Sequence, residues 1–177
     1  MFDKQYYFYG KHANYVNKLT AKFTDGKFPD ENILIFNRNI DVFLFASIIG
    51  VIYNRRAEID KTKNEAGQVL TTSIFGDMMI KENDNIMYNY QTIMMIHNRN
   101  THNKEERLER AFRYHNKEDI YIKECLDIFN NYLLGGVEIL YEKIFGEGKE
   151  LDDYIVNLYD FLEEFHIRYK AVEQDVL

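Results

Sequence analysis

The sequence predicts an all-α fold, a single helical domain over residues 1–177 built as a bundle of about five to seven helices with room for minor extended segments. Three observations carry this. The 177-residue chain holds one proline, Pro29, whereas sheet-rich folds need more turn residues. Apolar residues recur at spacings of three and four over long stretches, most strongly from Glu118 to Phe145. Hydrophobic residues make up 46% and charged residues 29%, which is globular rather than disordered, at a length that suits about one domain.

His12 to Phe23 reads as a first helix, with Tyr15, Val16, Leu19 and Phe23 on one face. Residues 24–27 and 29–30 read as turns. Ile33 to Phe36 is a short apolar run that suits strand or helix. Asn37 or Asn39 is placed to cap a helix to about Asn54. Ile40, Phe43, Leu44, Ser47, Ile48 and Val51 share one of its faces, and Val42, Phe45, Ile49 and Ile52 cover much of the rest, so it belongs in the core. Gly50 costs about 1 kcal/mol there relative to alanine and lets a neighbouring helix come close. Residues 54–71 are polar and form the longest loop, of a length that is usually functional or mobile.

Ile74 to Ile80 form an apolar patch of one or two helical turns. Asp84 can cap the next helix, with Ile86, Met87, Tyr90, Ile93, Met94 and His97 at helical spacing. Thr101 or Asn103 starts a charged helix to about Tyr114, supported by Glu106–Arg110 and Glu109–Arg113 at i, i+4. The run from Glu118 to Phe145 makes a helix of about 40 Å. Gly135-Gly136 inside it either kinks the helix or admits another backbone. Gly146-Glu147-Gly148 stops it. A last helix to about Val172 follows, with Ile155, Leu158, Tyr159, Leu162, Phe165 and Tyr169 facing inward.

Charge and chemistry narrow the function. Net charge is −7, and the excess is local: residues 1–60 carry 8 basic and 7 acidic side chains, 61–120 carry 9 of each, and 121–177 carry 5 and 13. Any nucleic-acid face belongs in the first two thirds, because phosphates need positive potential. The single cysteine, Cys125, excludes an intramolecular disulfide and reads as a small buried hydrophobe. The start of the chain lacks the pattern of a signal peptide, and Val42 to Tyr53 is too short to span a bilayer, so the expected location is the cytoplasm. No metal or cofactor is expected: His97 and His102 near Glu105 and Glu106 do not have a ligand spacing. The glycine-rich phosphate loops, the GxSxG elbow and the HExxH zinc helix are absent.

Two constellations stand out. Arg110 and His115 form an Arg-x4-His element that resembles the catalytic pair of HEPN-type helical ribonucleases. There the His serves acid–base chemistry and the Arg holds phosphate charge. Arg55, Arg56, Lys61 and Lys63, together with Arg38, supply basic contacts for a partner or for nucleic acid.

Phe36-Asn-Arg-Asn-Ile-Asp-Val-Phe-Leu-Phe-Ala-Ser-Ile-Ile-Gly50, followed by Asn54-Arg55-Arg56, resembles a polar cap, FAAxLG and basic pattern. Ile128-Phe-Asn-Asn-Tyr-Leu-Leu-Gly-Gly-Val-Glu-Ile-Leu140 is similar to IFEEYANGGLEIL. Both blocks, in this order and spacing, belong to small proteins encoded beside Dnd-type DNA phosphorothioation and restriction genes and in related bacterial anti-phage defence islands. The resemblance spans residues 33–145, with Leu133-Leu134 in place of Ala-Asn. It implies an accessory component working beside larger nucleases or ATPases, and the leading expectation is a non-enzymatic subunit that binds a protein partner and helps it engage DNA. The residues themselves agree, with Gly50, Gly135 and Gly136 as helix-packing positions. A HEPN-like ribonuclease, a phage-borne inhibitor with an acidic C-terminal third, and self-association all stay open.

Overall fold

The computed structural model describes residues 1–25, 28–113, 120–148 and 150–174. It is mostly helical, with seven helices and two small antiparallel ribbons among the described residues. Two compact units are formed, one from Met1–Ala21 with Leu34–Ile139, the other from Lys22–Ile33 with the chain from Leu140 onward. No helix among the described residues is long and apolar enough to cross a membrane.

In the first unit β1 (Tyr6–Tyr9) pairs with β4 (Thr71–Ile74), placing Tyr6 opposite Ile74 and Tyr9 opposite Thr71. Phe8 is buried while Tyr7 is exposed, the period of two that a half-buried strand requires. The β1 stretch shows no helical period, whereas Ile74, expected to open a helical patch, instead closes β4 opposite Tyr6. The first helix, α1 (Gly10–Leu19), is shorter than expected, because Phe23 enters a strand instead of the helix. In α2 (Asn39–Ile52) neither expected asparagine caps the start by its side chain. Asn39 turns instead to β4 and donates to the Ser73 carbonyl at 3.0 Å, while its Oδ1 accepts from the Thr20 hydroxyl at 3.2 Å. A half-buried amide satisfied by a strand is worth more here than a cap in water.

Helices α3 (Gly76–Lys81), α4 (Asn83–Ile96) and α5 (Lys104–Phe112) follow. Asn103 and Glu106 form a full capping box on α5. Helix α6 (Ile120–Phe145) brings Phe129 into an aromatic cluster, with ring centroids 5.8 Å from Phe43, 6.1 Å from Tyr90 and 5.2 Å from Phe2. These offset and tilted rings, together with buried Phe8, Ile86, Ile93 and Leu133, make the core.

Helices α2 and α6 meet backbone to backbone. A Cβ on Gly136 would collide with the Ala46 carbonyl, and one on Gly50 with the Tyr132 carbonyl. Ala46 and Gly50 are four apart, as are Tyr132 and Gly136, so each pair lies on one face of its helix. A Cβ on Gly135 would meet the Arg55 carbonyl beyond the end of α2.

In the second unit β2 (Phe23–Asp25) and β3 (Phe28–Ile33) form a ribbon with a register shift between Thr24 and Asp25. Pro29 lies in β3, which is tolerated because each strand of a two-stranded ribbon is an edge. The end of α6 packs on α7 (Leu151–Gln174) through Phe145 and Tyr154, edge to face at 4.8 Å. Asn157 caps α6, donating to the carbonyls of Ile144 at 3.0 Å and Glu147 at 2.7 Å. The inward face of α7 differs from the expected one: Phe161 is buried, while Ile155, Tyr159 and Leu162 are exposed. Apolar residues surround this helix, so the periodicity alone does not select the buried side.

Candidate anion-binding cleft

Helix α2 ends in a Schellman turn. Asn54 adopts the left-handed conformation (φ +50°), Arg55 N–H donates to the Gly50 carbonyl at 2.9 Å, and Asn54 N–H donates to Val51 at 3.1 Å. Asparagine tolerates that conformation better than most residues. The turn lays the following residues along α6, where Ala57 N–H donates to the Asn131 carbonyl at 2.9 Å.

Arg55 and Arg56 then part. Arg55 reaches Glu138 with Nε at 3.2 Å and Nη2 at 2.9 Å. Glu138 is only 7% exposed and also accepts from Lys11 Nζ at 2.7 Å and His12 Nε2 at 3.2 Å. Burial pushes its carboxyl up, but hydrogen bonds from Lys11 and Arg55 outweigh this and hold it below the ordinary range. His12 is fully buried and its Nδ1 has no partner. Burial lowers its pKa, against the pull of Glu138, so the ring is neutral with its proton on Nε2. This cluster anchors the loop.

Further along, Asp60 accepts from the amides of Lys11 at 2.7 Å, in the first turn of α1, and Thr62 at 2.9 Å. The Thr62 side chain and those two amides hold its carboxyl down to about 2. Asn64 closes a turn onto Gln68 at 3.0 Å. The polar stretch expected to be a long loop is thus stitched down at several points.

Arg56 is exposed, its guanidinium 6.0 Å from the centroid of the Tyr132 ring. It lines a polar cleft of about 430 Å³ with Asn54, Asn98, Arg99, Asn100, Thr101 and Tyr132. Asn98 also adopts the left-handed conformation (φ +50°), turning the chain after α4 so that Arg99 joins the rim. Beneath, the Tyr132 hydroxyl donates to Asn54 Oδ1 at 3.3 Å and accepts from His97 Nδ1 at 3.1 Å. Burial, then Arg56 and His102, lower the pKa of His97.

The pairing of the arginines distinguishes this cleft. Arg38 is bound to Asp41 and Glu82, Arg55 to Glu138, Arg110 to Glu124, Arg113 to Glu109 and Arg168 to Glu164. Arg107 donates to the Met95 carbonyl. Among the described residues the guanidinium groups of Arg56 and Arg99 alone of the arginines have neither an ion pair nor a hydrogen bond, and both line this cleft.

The basic residues read from sequence therefore separate. Arg56 lines the cleft, Arg55 points to Glu138, and Arg38 is tied up beside a different cavity. Lys61 and Lys63 are exposed further along the loop. Arg110 does not pair with Glu106, which is held by the capping box, but with Glu124 at 3.1 Å. His115 lies outside the described residues. His97 and His102 diverge to Tyr132 and Glu106, and no group of three or more His, Cys, Asp or Glu among the described residues is placed to hold a metal.

Sequence reading missed Glu138, His12 and Arg99. Glu138 left a signal, as the single charge between Ile128 and Leu140. Arg99 and His12 left none, because their roles come from tertiary placement.

No protein-family model, curated protein or solved structure matches this chain.

Proposed function

We propose that this protein is a non-enzymatic interaction subunit that grips the phosphate groups of a nucleic acid through the Arg56–Arg99 cleft, working beside a protein partner in a cytoplasmic bacterial anti-phage defence assembly. The carrying observation is that the two arginines whose guanidinium groups have no ion pair or hydrogen bond among the described residues share one cleft. An unpaired guanidinium can bind a phosphate oxygen without first breaking an internal ion pair. Asn98 and Asn100 add neutral amide side chains with hydrogen-bond donors to the rim, while the Thr101 hydroxyl donates to the Asn98 carbonyl. The defence setting and the protein partner rest on the resemblance of residues 36–56 and 128–140.

The test is fluorescence anisotropy with single- and double-stranded DNA across a salt series. Each arginine that meets a phosphate should add about one unit to the slope of log K against log salt. Arg56→Gln and Arg99→Gln should each weaken binding on all sequences alike and flatten that slope. Affinity that does not depend on salt, or that both variants retain, overturns the reading.

A further inference from the structure

The cleft has a second lobe of different chemistry. A depression of about 490 Å³ adjoins it, sharing Asn54 and Arg56 and adding Glu58 and Asn131. The lobe with Arg99 contains two arginines and no carboxylate, and the lobe with Asn131 contains the only carboxylate of the pair. Each volume falls within the range of small-molecule sites, about 300–1,000 Å³. Glu58 is exposed and has no hydrogen bond or ion pair among the described residues, so it too is available to a ligand.

An inorganic anion would use only the basic lobe, and Glu58 would repel it. A ligand that fits both lobes carries negative charge at one end and hydrogen-bond donors at the other. A nucleotide whose base bears an exocyclic amino group has this polarity. Its phosphate suits the two arginines, and its amino group suits a carboxylate, a pairing that carboxylates make with the amino group of cytosine. The side-chain amides of Asn54 and Asn131 can donate to or accept from the rest of the base edge.

We propose that the two lobes together bind one nucleotide with an amino-bearing base, its phosphate held by Arg56 and Arg99 and its base amino group by Glu58. This rests on the phosphate-binding reading above and specifies which unit of the nucleic acid enters the cleft. The nucleotide can be free or can be an unpaired residue of a strand; the chemistry of recognition is the same.

Isothermal titration with inorganic phosphate, cytidine, CMP and UMP tests it, alongside anisotropy with 5′-phosphorylated oligo-dC and oligo-dT. CMP should bind about tenfold tighter than UMP, an ordinary discrimination for a matched base contact, and tighter than inorganic phosphate or cytidine. Glu58→Gln should shrink the CMP-to-UMP ratio to below about threefold while leaving inorganic phosphate as tight or tighter. Arg99→Gln should weaken both nucleotides. If oligo-dC carries the preference and CMP does not, the site reads a strand; if CMP carries it, the site also takes free nucleotides. Equal affinity for CMP and UMP together with equal affinity for the two oligonucleotides, or a preference that survives Glu58→Gln, overturns this inference. It leaves the phosphate reading standing if the arginine-dependent salt slope persists. Loss of that slope removes both.

Discussion

Arg55 Nη2 lies 2.9 Å from Glu138 Oε2, whereas the next residue, Arg56, meets no carboxylate among the described residues. Neighbours of identical chemistry therefore differ in what they do for stability. Arg55→Ala should lower unfolding free energy by about 1–2 kcal/mol, less than for a fully buried pair because Arg55 is partly exposed and Lys11 and His12 still serve Glu138. Arg56→Ala should stay within about 0.5 kcal/mol of wild type. Urea denaturation at pH 7 measures both, and equal losses would refute the division.

Stability should fall with acid in two steps. Burial lowers the pKa of His12 and His97. Their neutral forms are favoured on folding, so this contribution is complete above about pH 6.5 and is lost as pH falls below it. Glu138 and Asp60 have lowered carboxyl pKa values, Asp60 at about 2. Their contribution is complete above about pH 4.5 and is lost as pH falls toward the folded values. Urea midpoints between pH 8 and pH 3 should show both declines. The double variant His12→Gln with His97→Gln should lack the upper one; an upper decline of undiminished size in that variant would sink the assignment.

The seam between α2 and α6 should be intolerant of a methyl group. Gly136→Ala and Gly50→Ala each drive a Cβ into a carbonyl of the facing helix. Each should cost about 2–3 kcal/mol or more, since backbone must separate from backbone. Gly67→Ala is the comparison, with no atom within 4 Å but φ at +75°. It should lose only about 1 kcal/mol, from conformation alone. Thermal melts of the three variants give the order.

Cys125 should be inert in the folded protein. It is buried, and burial pushes its thiol pKa up, outweighing the Tyr90 hydrogen bond. Labelling by a disulfide reagent at pH 8 should follow the opening of the structure and become immediate in denaturant. Rapid native labelling would contradict the packing of α6 around this residue.

The helical frame was legible because periodicity survives in most of it. The span of α2 follows from its nearly continuous apolar surface, and the start of α5 falls at Asn103, one of the two starts that the sequence offered. The ribbon of Tyr6–Tyr9 with Thr71–Ile74 was not legible, because four residues give little alternation and the partner lies far along the chain. The glycines signal a close approach but not which backbone approaches. In the cleft, Arg55 and Arg56 look alike in sequence. What separates them is the Glu138 carboxylate on a helix 83 positions away.

The left-handed turn at Asn54 and the bond from Ala57 to the Asn131 carbonyl fix the backbone on both sides of Arg56. A ligand arriving at that guanidinium has little main chain left to order. Encounter should therefore lead to capture without a conformational step, in a single kinetic phase whose rate rises in proportion to ligand concentration.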